Sequence, residues 1–171
     1  MEPFRRHHPY GPRPLHAGRA QVTTARGWRI PAEFGKALAA LSAAAKQHLD
    51  PLLAELVMIR ASQLNHCAFC LDMHLELALK KGESQDRLDL LAAWEEAGDR
   101  FTVQERAALA LTEAVTVLTD GFVPDAVYAE AAREFTETEL AHLIAAITTI
   151  NSWNRLMVAR RTSPGETAWH S

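Results

Sequence analysis

Apolar residues recur at helical spacing from residue 31 onward and nowhere alternate with polar ones for long, which predicts helices and no strand. Pro31 opens a segment with Phe34, Leu38, Leu41 and Ala45 in register. Asp50 followed by Pro51 predicts a capped helix start with proline in the first turn. The helix that follows carries Leu52, Leu56, Ile59 and Gln63 as a stripe that turns polar toward its end. Residues 67–80 predict the next helix, with Leu71, Leu75 and Leu79 in one row and Gly82 as its stop. Ser84 is placed to cap a segment over residues 88–97 that ends at Gly98. Thr102 and Glu105 form a capping box before an apolar helix that should reach about Thr119. Gly121 breaks the chain, Pro124 and Asp125 begin a shorter helix, and Thr136 with Glu139 forms a second capping box before a helix running to about Ala159. The expected fold class is all-α, a helical bundle.

Several of these helices are apolar across a wide stripe, as at Ile144 to Ile147. That implies burial on more than one side. In so short a chain it predicts helices shared between subunits of a homo-oligomer. Residues 1–27 differ. They hold Pro3, Pro9, Pro12, Pro14, Gly11 and Gly18 with no apolar period, and read as an extended basic arm preceding a helical domain over residues 28–171. The arm is either a partly disordered tail or a segment that wraps a neighbouring subunit through Phe4, Tyr10 and Leu15.

The chain has 171 residues and a formal net charge of −3, which suits one domain and argues against nucleic acid as a partner. Arg5, Arg6, Arg13, Arg19, Arg26 and Arg29 against Glu2 make the first thirty residues basic and leave the rest more acidic. The longest apolar runs, such as residues 143–150, fall far short of the roughly 20 residues a membrane helix needs. No apolar core follows the basic residues at the N-terminus, so no secretory signal is expected. The expected compartment is the cytoplasm, with no membrane partner. There a close pair of cysteines rests as thiols and is metal-binding or catalytic sooner than structural.

Cys67 and Cys70 are three residues apart at an expected helix start. Both side chains then fall near one face, where unpaired N–H groups favour a thiolate. Two thiols at that spacing can also close into a disulfide. His74 follows one turn later and can take a proton near neutral pH. Glu55 lies on the preceding helix, and an antiparallel return would bring it beside His74 to orient the ring. His66 and Ser62 are supporting candidates, although a His66 that is a neutral neighbour and a Ser62 that is merely solvated are the plainer readings. Asn151, Trp153, Asn154 and Arg155 either line the site or form a polar helix end. Phe69, Phe101, Trp94 and Met58 read as packing or as walls for an apolar substrate. A zinc site from Cys67, Cys70, His74 and His66 is the competing use, but tetrahedral geometry rarely draws four ligands from two turns. No metal and no cofactor are expected.

The arrangement of a glutamate, eleven residues, C-x-x-C, three residues and a histidine over residues 55–74 resembles the core motif of AhpD-like alkylhydroperoxidases, in the carboxymuconolactone decarboxylase superfamily. The likeness is most specific over residues 50–82 and extends loosely to the helix around Ala107 and to residues 150–155. It implies an AhpD-like helical bundle assembled as a trimer or hexamer, and a peroxiredoxin-type antioxidant enzyme. In that reading Cys70 is the peroxidatic thiolate, which attacks a small organic hydroperoxide and becomes a sulfenic acid. Cys67 resolves it to a disulfide, while His74 relays the proton and Glu55 sets its charge. An external dithiol, on a lipoyl group or a thioredoxin-like protein, restores the thiols. Two positions depart from the pattern. Phe69 stands between the cysteines where a histidine is known in the family, and His66 precedes Cys67 where a small residue is expected. The alternatives are a lactone enzyme of the decarboxylase branch, which does not depend on the cysteine pair, and a non-enzymatic protein that uses the disulfide as an assembly switch.

Overall fold

The computed structural model describes residues 26–119 and 121–167, so the arm expected over residues 1–27 lies outside the described residues except for its last two. The described residues form seven α-helices in the order α1 (Ala32–Ala45), α2 (Pro51–Leu64), α3 (Ala68–Lys80), α4 (Gln85–Leu90), α5 (Val103–Thr116), α6 (Asp125–Glu134) and α7 (Glu137–Arg160). Two short 3-10 helices, Leu91–Glu96 and Gly98–Arg100, join α4 to α5. The described residues contain no β-strand, and none of their helices is long and apolar enough to cross a membrane.

The starts are set by the caps the sequence predicts. Asp50 Oδ1 accepts from the N–H groups of Leu52 and Leu53, both at 2.9 Å, with Pro51 in the first turn. Thr102 with Glu105, and Thr136 with Glu139, each satisfy two orphan donors reciprocally. Gly82 ends α3 at φ 98°, a left-handed turn that a side chain would strain.

α2 is the centre of the molecule and packs against α3, α5 and α7. Leu53, Ala54, Val57, Met58 and Ala61 join a core with residues of α7 such as Leu143, Ile147 and Ile150. Leu56 and Ile59 join a second core with Ala78, Leu88, Leu91, Trp94, Phe101 and Leu109. A helix buried on several sides loses its one-faced pattern. The covering on both sides comes from within one chain. On α1, by contrast, Leu38 and Ala45 are buried while Phe34 and Leu41 of the same predicted stripe are about half exposed.

Two boundaries differ from the sequence reading. The segment expected over residues 88–97 breaks after Leu90, with a non-helical Ala93. Here Trp94 donates its indole N–H to Glu113 Oε1, and Arg106 donates to the carbonyls of Trp94 and Glu95. These tertiary bonds take the place of a continued helical ladder. The helix expected to reach Thr119 stops at Thr116.

Candidate active site

A three-residue turn joins α2 to α3. His66 takes the left-handed conformation at φ 54°, its N–H bonds Gln63 O, and Cys67 N–H bonds Ser62 O. The turn sends α3 back along α2 and thereby brings residues nineteen apart into contact. His74 Nδ1 lies 2.7 Å from Glu55 Oε2, with both side chains buried.

Glu55 is 1% exposed and holds a second partner that sequence reasoning missed. Lys81 donates from Nζ to Glu55 Oε1 at 2.6 Å and remains 37% exposed. Burial pushes the Glu55 carboxyl up, but the hydrogen bonds and charges of His74 and Lys81 outweigh it and hold the group below its ordinary range. Glu55 is therefore a carboxylate that fixes a proton on Nδ1 and leaves Nε2 as the other working nitrogen of the ring. Lys81 is seven residues beyond His74, two turns along the same face, and that spacing was its only signal.

Cys67 is the residue that precedes α3, and Cys70 is in its first turn. Both are free and buried. The Cys70 thiol, donating toward Cys67, is the largest influence on Cys67 and favours its thiolate; burial opposes it. The N–H groups of Cys70 and Phe69 and the side chain of Asn154 add to the lowering, although no cap hydrogen bond closes at the helix start. Together they bring Cys67 from the ordinary 9.0 to about 7. Cys70 is pushed well up, by its hydrogen bond to Cys67 first and then by burial and the charge on Cys67. The pair thus shares one proton, with the resting charge on Cys67. In the reduced protein, alkylation by iodoacetamide should rise through about pH 7, since thiolate is populated above the pKa. Half-maximal reactivity near 9 would contradict this charge placement.

Ser62 and Asn154 form the support beneath the pair. Ser62 is fully buried, donates to Met58 O at 2.7 Å and accepts from Asn154 Nδ2 at 3.0 Å. Asn154 Oδ1 accepts from Asn65 Nδ2, which also bonds Asn151 Oδ1. The polar turn of α7 therefore adjoins the cysteine pair, and Ser62 is joined to it through Asn154. His66 is exposed on the turn, as is Asp72 on α3. Among the described residues no group of three or more His, Cys, Asp or Glu is arranged to hold a metal ion.

A cavity of about 270 Å³ opens onto Cys70 and His74. Cys67 is not in its lining. Its walls are largely apolar, with Met58, Phe69, Met73, Leu77, Ile150 and Met157 among them. Trp153 contributes its ring and donates its indole N–H to Ser42 Oγ at 3.0 Å. Phe101 and Trp94 belong to the second core and are packing. The lining residues follow helical periods that are visible in the sequence: Ala39, Ser42 and Ala43 on α1 with Lys46 just past its end, and Thr149, Ile150, Trp153 and Met157 on α7. Which stripes face one another is what the sequence did not disclose.

The sequence pattern of the carboxymuconolactone decarboxylase family matches residues 32–114. The uncharacterized protein YdfG of Bacillus subtilis is 43% identical over 105 residues, covering 61% of this chain and 71% of YdfG. A crystal structure of an Agrobacterium tumefaciens protein of unknown function, described as a candidate AhpD antioxidant defence protein, superposes with a TM-score of 0.75 at 33% identity, over 79% of this chain and 92% of that one. An uncharacterized peroxidase-related protein from Silicibacter sp. TM1040 shares the fold, with a TM-score of 0.69 at 17% identity over 81% of this chain and 73% of that one.

Proposed function

Because this chain belongs to the carboxymuconolactone decarboxylase family, we propose that it is a thiol-dependent peroxidase that reduces small organic hydroperoxides through the Cys67/Cys70 pair with a Glu55–His74 proton relay. The observation that carries this reading is the apolar cavity ending on Cys70 and His74, with His74 held by the Glu55 carboxylate. An AhpD-like fold related to peroxidases agrees with the neighbours named above.

The charge placement shapes the steps. Cys67 holds the thiolate at rest, but the cavity reaches Cys70. Cys67 takes the proton of the Cys70 thiol, and the Cys70 thiolate attacks the terminal oxygen of the hydroperoxide. The O–O bond breaks, Cys70 becomes a sulfenic acid, and the alkoxide leaves with a proton delivered by the His74 imidazolium. Cys67 then gives up the proton it took and attacks the Cys70 sulfur; the disulfide forms, and the sulfenic hydroxyl leaves with that proton as water. An external dithiol, on a lipoyl group or a thioredoxin-like protein, supplies the two electrons that restore the thiols. The reading includes a cytoplasmic homo-oligomer, to which the half-exposed Phe34 and Leu41 of α1 lend support.

The test is intact-mass analysis of the reduced protein after one equivalent of cumene hydroperoxide, followed by a dithiol. Loss of two hydrogens, restored by the dithiol, is the expected result. An unchanged mass with both thiols free would sink the peroxidase and leave lactone chemistry.

A further inference from the structure

Lys46 lines the cavity that ends on Cys70 and His74. It follows α1 directly, is half-buried, and its ammonium makes no hydrogen bond or ion pair among the described residues. The other lysine at the site, Lys81, is engaged with Glu55. No aspartate or glutamate lines the cavity. The charge of Glu55 lies behind His74 and is already met by Lys81. An unpaired cation against apolar walls is a poor arrangement for a neutral ligand, because partial burial weakens its hydration without a compensating partner. The same arrangement suits a ligand with an apolar body and one anionic end.

We propose that Lys46 selects the substrate, and that the cavity takes a small organic hydroperoxide carrying a carboxylate at the end remote from its O–O bond. This rests on the peroxidase reading and narrows it. The carboxylate pairs with Lys46, the body lies against Phe69, Met73 and Trp153, and the hydroperoxide meets Cys70. The redox step is unchanged: the hydroperoxide becomes the alcohol and the thiol pair becomes the disulfide. At about 270 Å³ the cavity is just below the range for drug-sized ligands, so the substrate is a compact acid and not a long acyl chain. A lysine just past a helix C-terminus also meets the helix dipole favourably, and that role alone would stabilise α1 without distinguishing substrates.

A matched pair separates the two roles: cumene hydroperoxide and its para-carboxylate derivative, which differ only in the remote anion. The full-length protein should show a kcat/KM about tenfold higher for the carboxylate, the size of one charge-assisted hydrogen bond, and the preference should fall as salt rises. Lys46→Gln should bring the ratio to about one, and Lys46→Arg should retain it. A ratio near one in the unaltered protein overturns the proposal. So does a ratio that survives Lys46→Gln, including the case in which that variant only lowers thermal stability. Calorimetry with 4-isopropylbenzoate against 4-isopropylbenzyl alcohol reads the same preference without any O–O bond. Preferential binding of the benzoate lost in Lys46→Gln, combined with inert thiols, would uphold the anion site and overturn the peroxidase. Oxidised thiols with no benzoate preference would do the reverse.

Discussion

Cys70→Ser should abolish hydroperoxide reduction, down to the background rate of the buffer, while Cys67→Ser should still consume one equivalent and stop. The difference follows from the cavity. Cys70 lines it and Cys67 does not, so a peroxide entering from solvent meets the Cys70 sulfur first. A serine there keeps a similar volume but supplies no sulfur for the O–O bond to oxidise. Cys67→Ser removes the group that holds the resting charge, so the Cys70 thiol must lose its proton elsewhere and its attack should slow. With no second sulfur to close the disulfide, the sulfenic acid should persist, seen as the mass of one oxygen added to the protein and trapped by dimedone. Peroxide turnover in Cys70→Ser at the unaltered rate would move the attacking sulfur to Cys67, where the thiolate already resides.

Glu55→Ala should damage both stability and chemistry. Glu55 is 1% exposed and joins His74 and Lys81, so its removal leaves two partners of a buried cluster unmatched. The expected cost is about 3 kcal/mol, the low end for a broken buried pair, because Lys81 at 37% exposed can turn to water. For a chain of this size each kcal/mol lowers the melting temperature by about 2–4 °C. Glu55→Gln separates charge from shape. It keeps the volume but cannot hold a charged imidazole, and a lost acid–base relay should slow turnover about a hundredfold or more. Acid should mimic the loss in the unaltered protein. The folded pKa of Glu55 lies below its ordinary 4.5, so its contribution is fully present above pH 4.5 and disappears as pH falls through the depressed value. Melting curves of Glu55→Ala and of the unaltered protein between pH 3 and 7 check both statements; equal melting temperatures at neutral pH would show the cluster to be energetically idle.

Local signals along the chain determined much of this molecule. Asp50, Thr102 and Thr136 fix helix starts because capping depends on residues within one turn. The spacing of Glu55, Cys67, Cys70 and His74 was enough to expect Glu55 beside His74 and the two cysteines beside each other, since a short turn between two helices leaves few ways for α3 to return along α2. The basic arm over residues 1–27 remains a sequence expectation. What depended on contacts between elements was not legible. Trp94 and Arg106 broke the expected helix over residues 88–97 through bonds to α5 and from it. Lys81 is an ordinary helix-end lysine until the fold sets it beside Glu55. The resting charge fell on Cys67 because the Cys70 thiol donates to it, with the N–H groups at the start of α3 and Asn154 adding to this, and the cavity fell on Cys70 because the stripes of α1 and α7 meet α3 there. Periodicity tells which residues share a face of one helix. Only the packed structure decides which faces meet, and both the electrostatics and the shape of this site arise where they do.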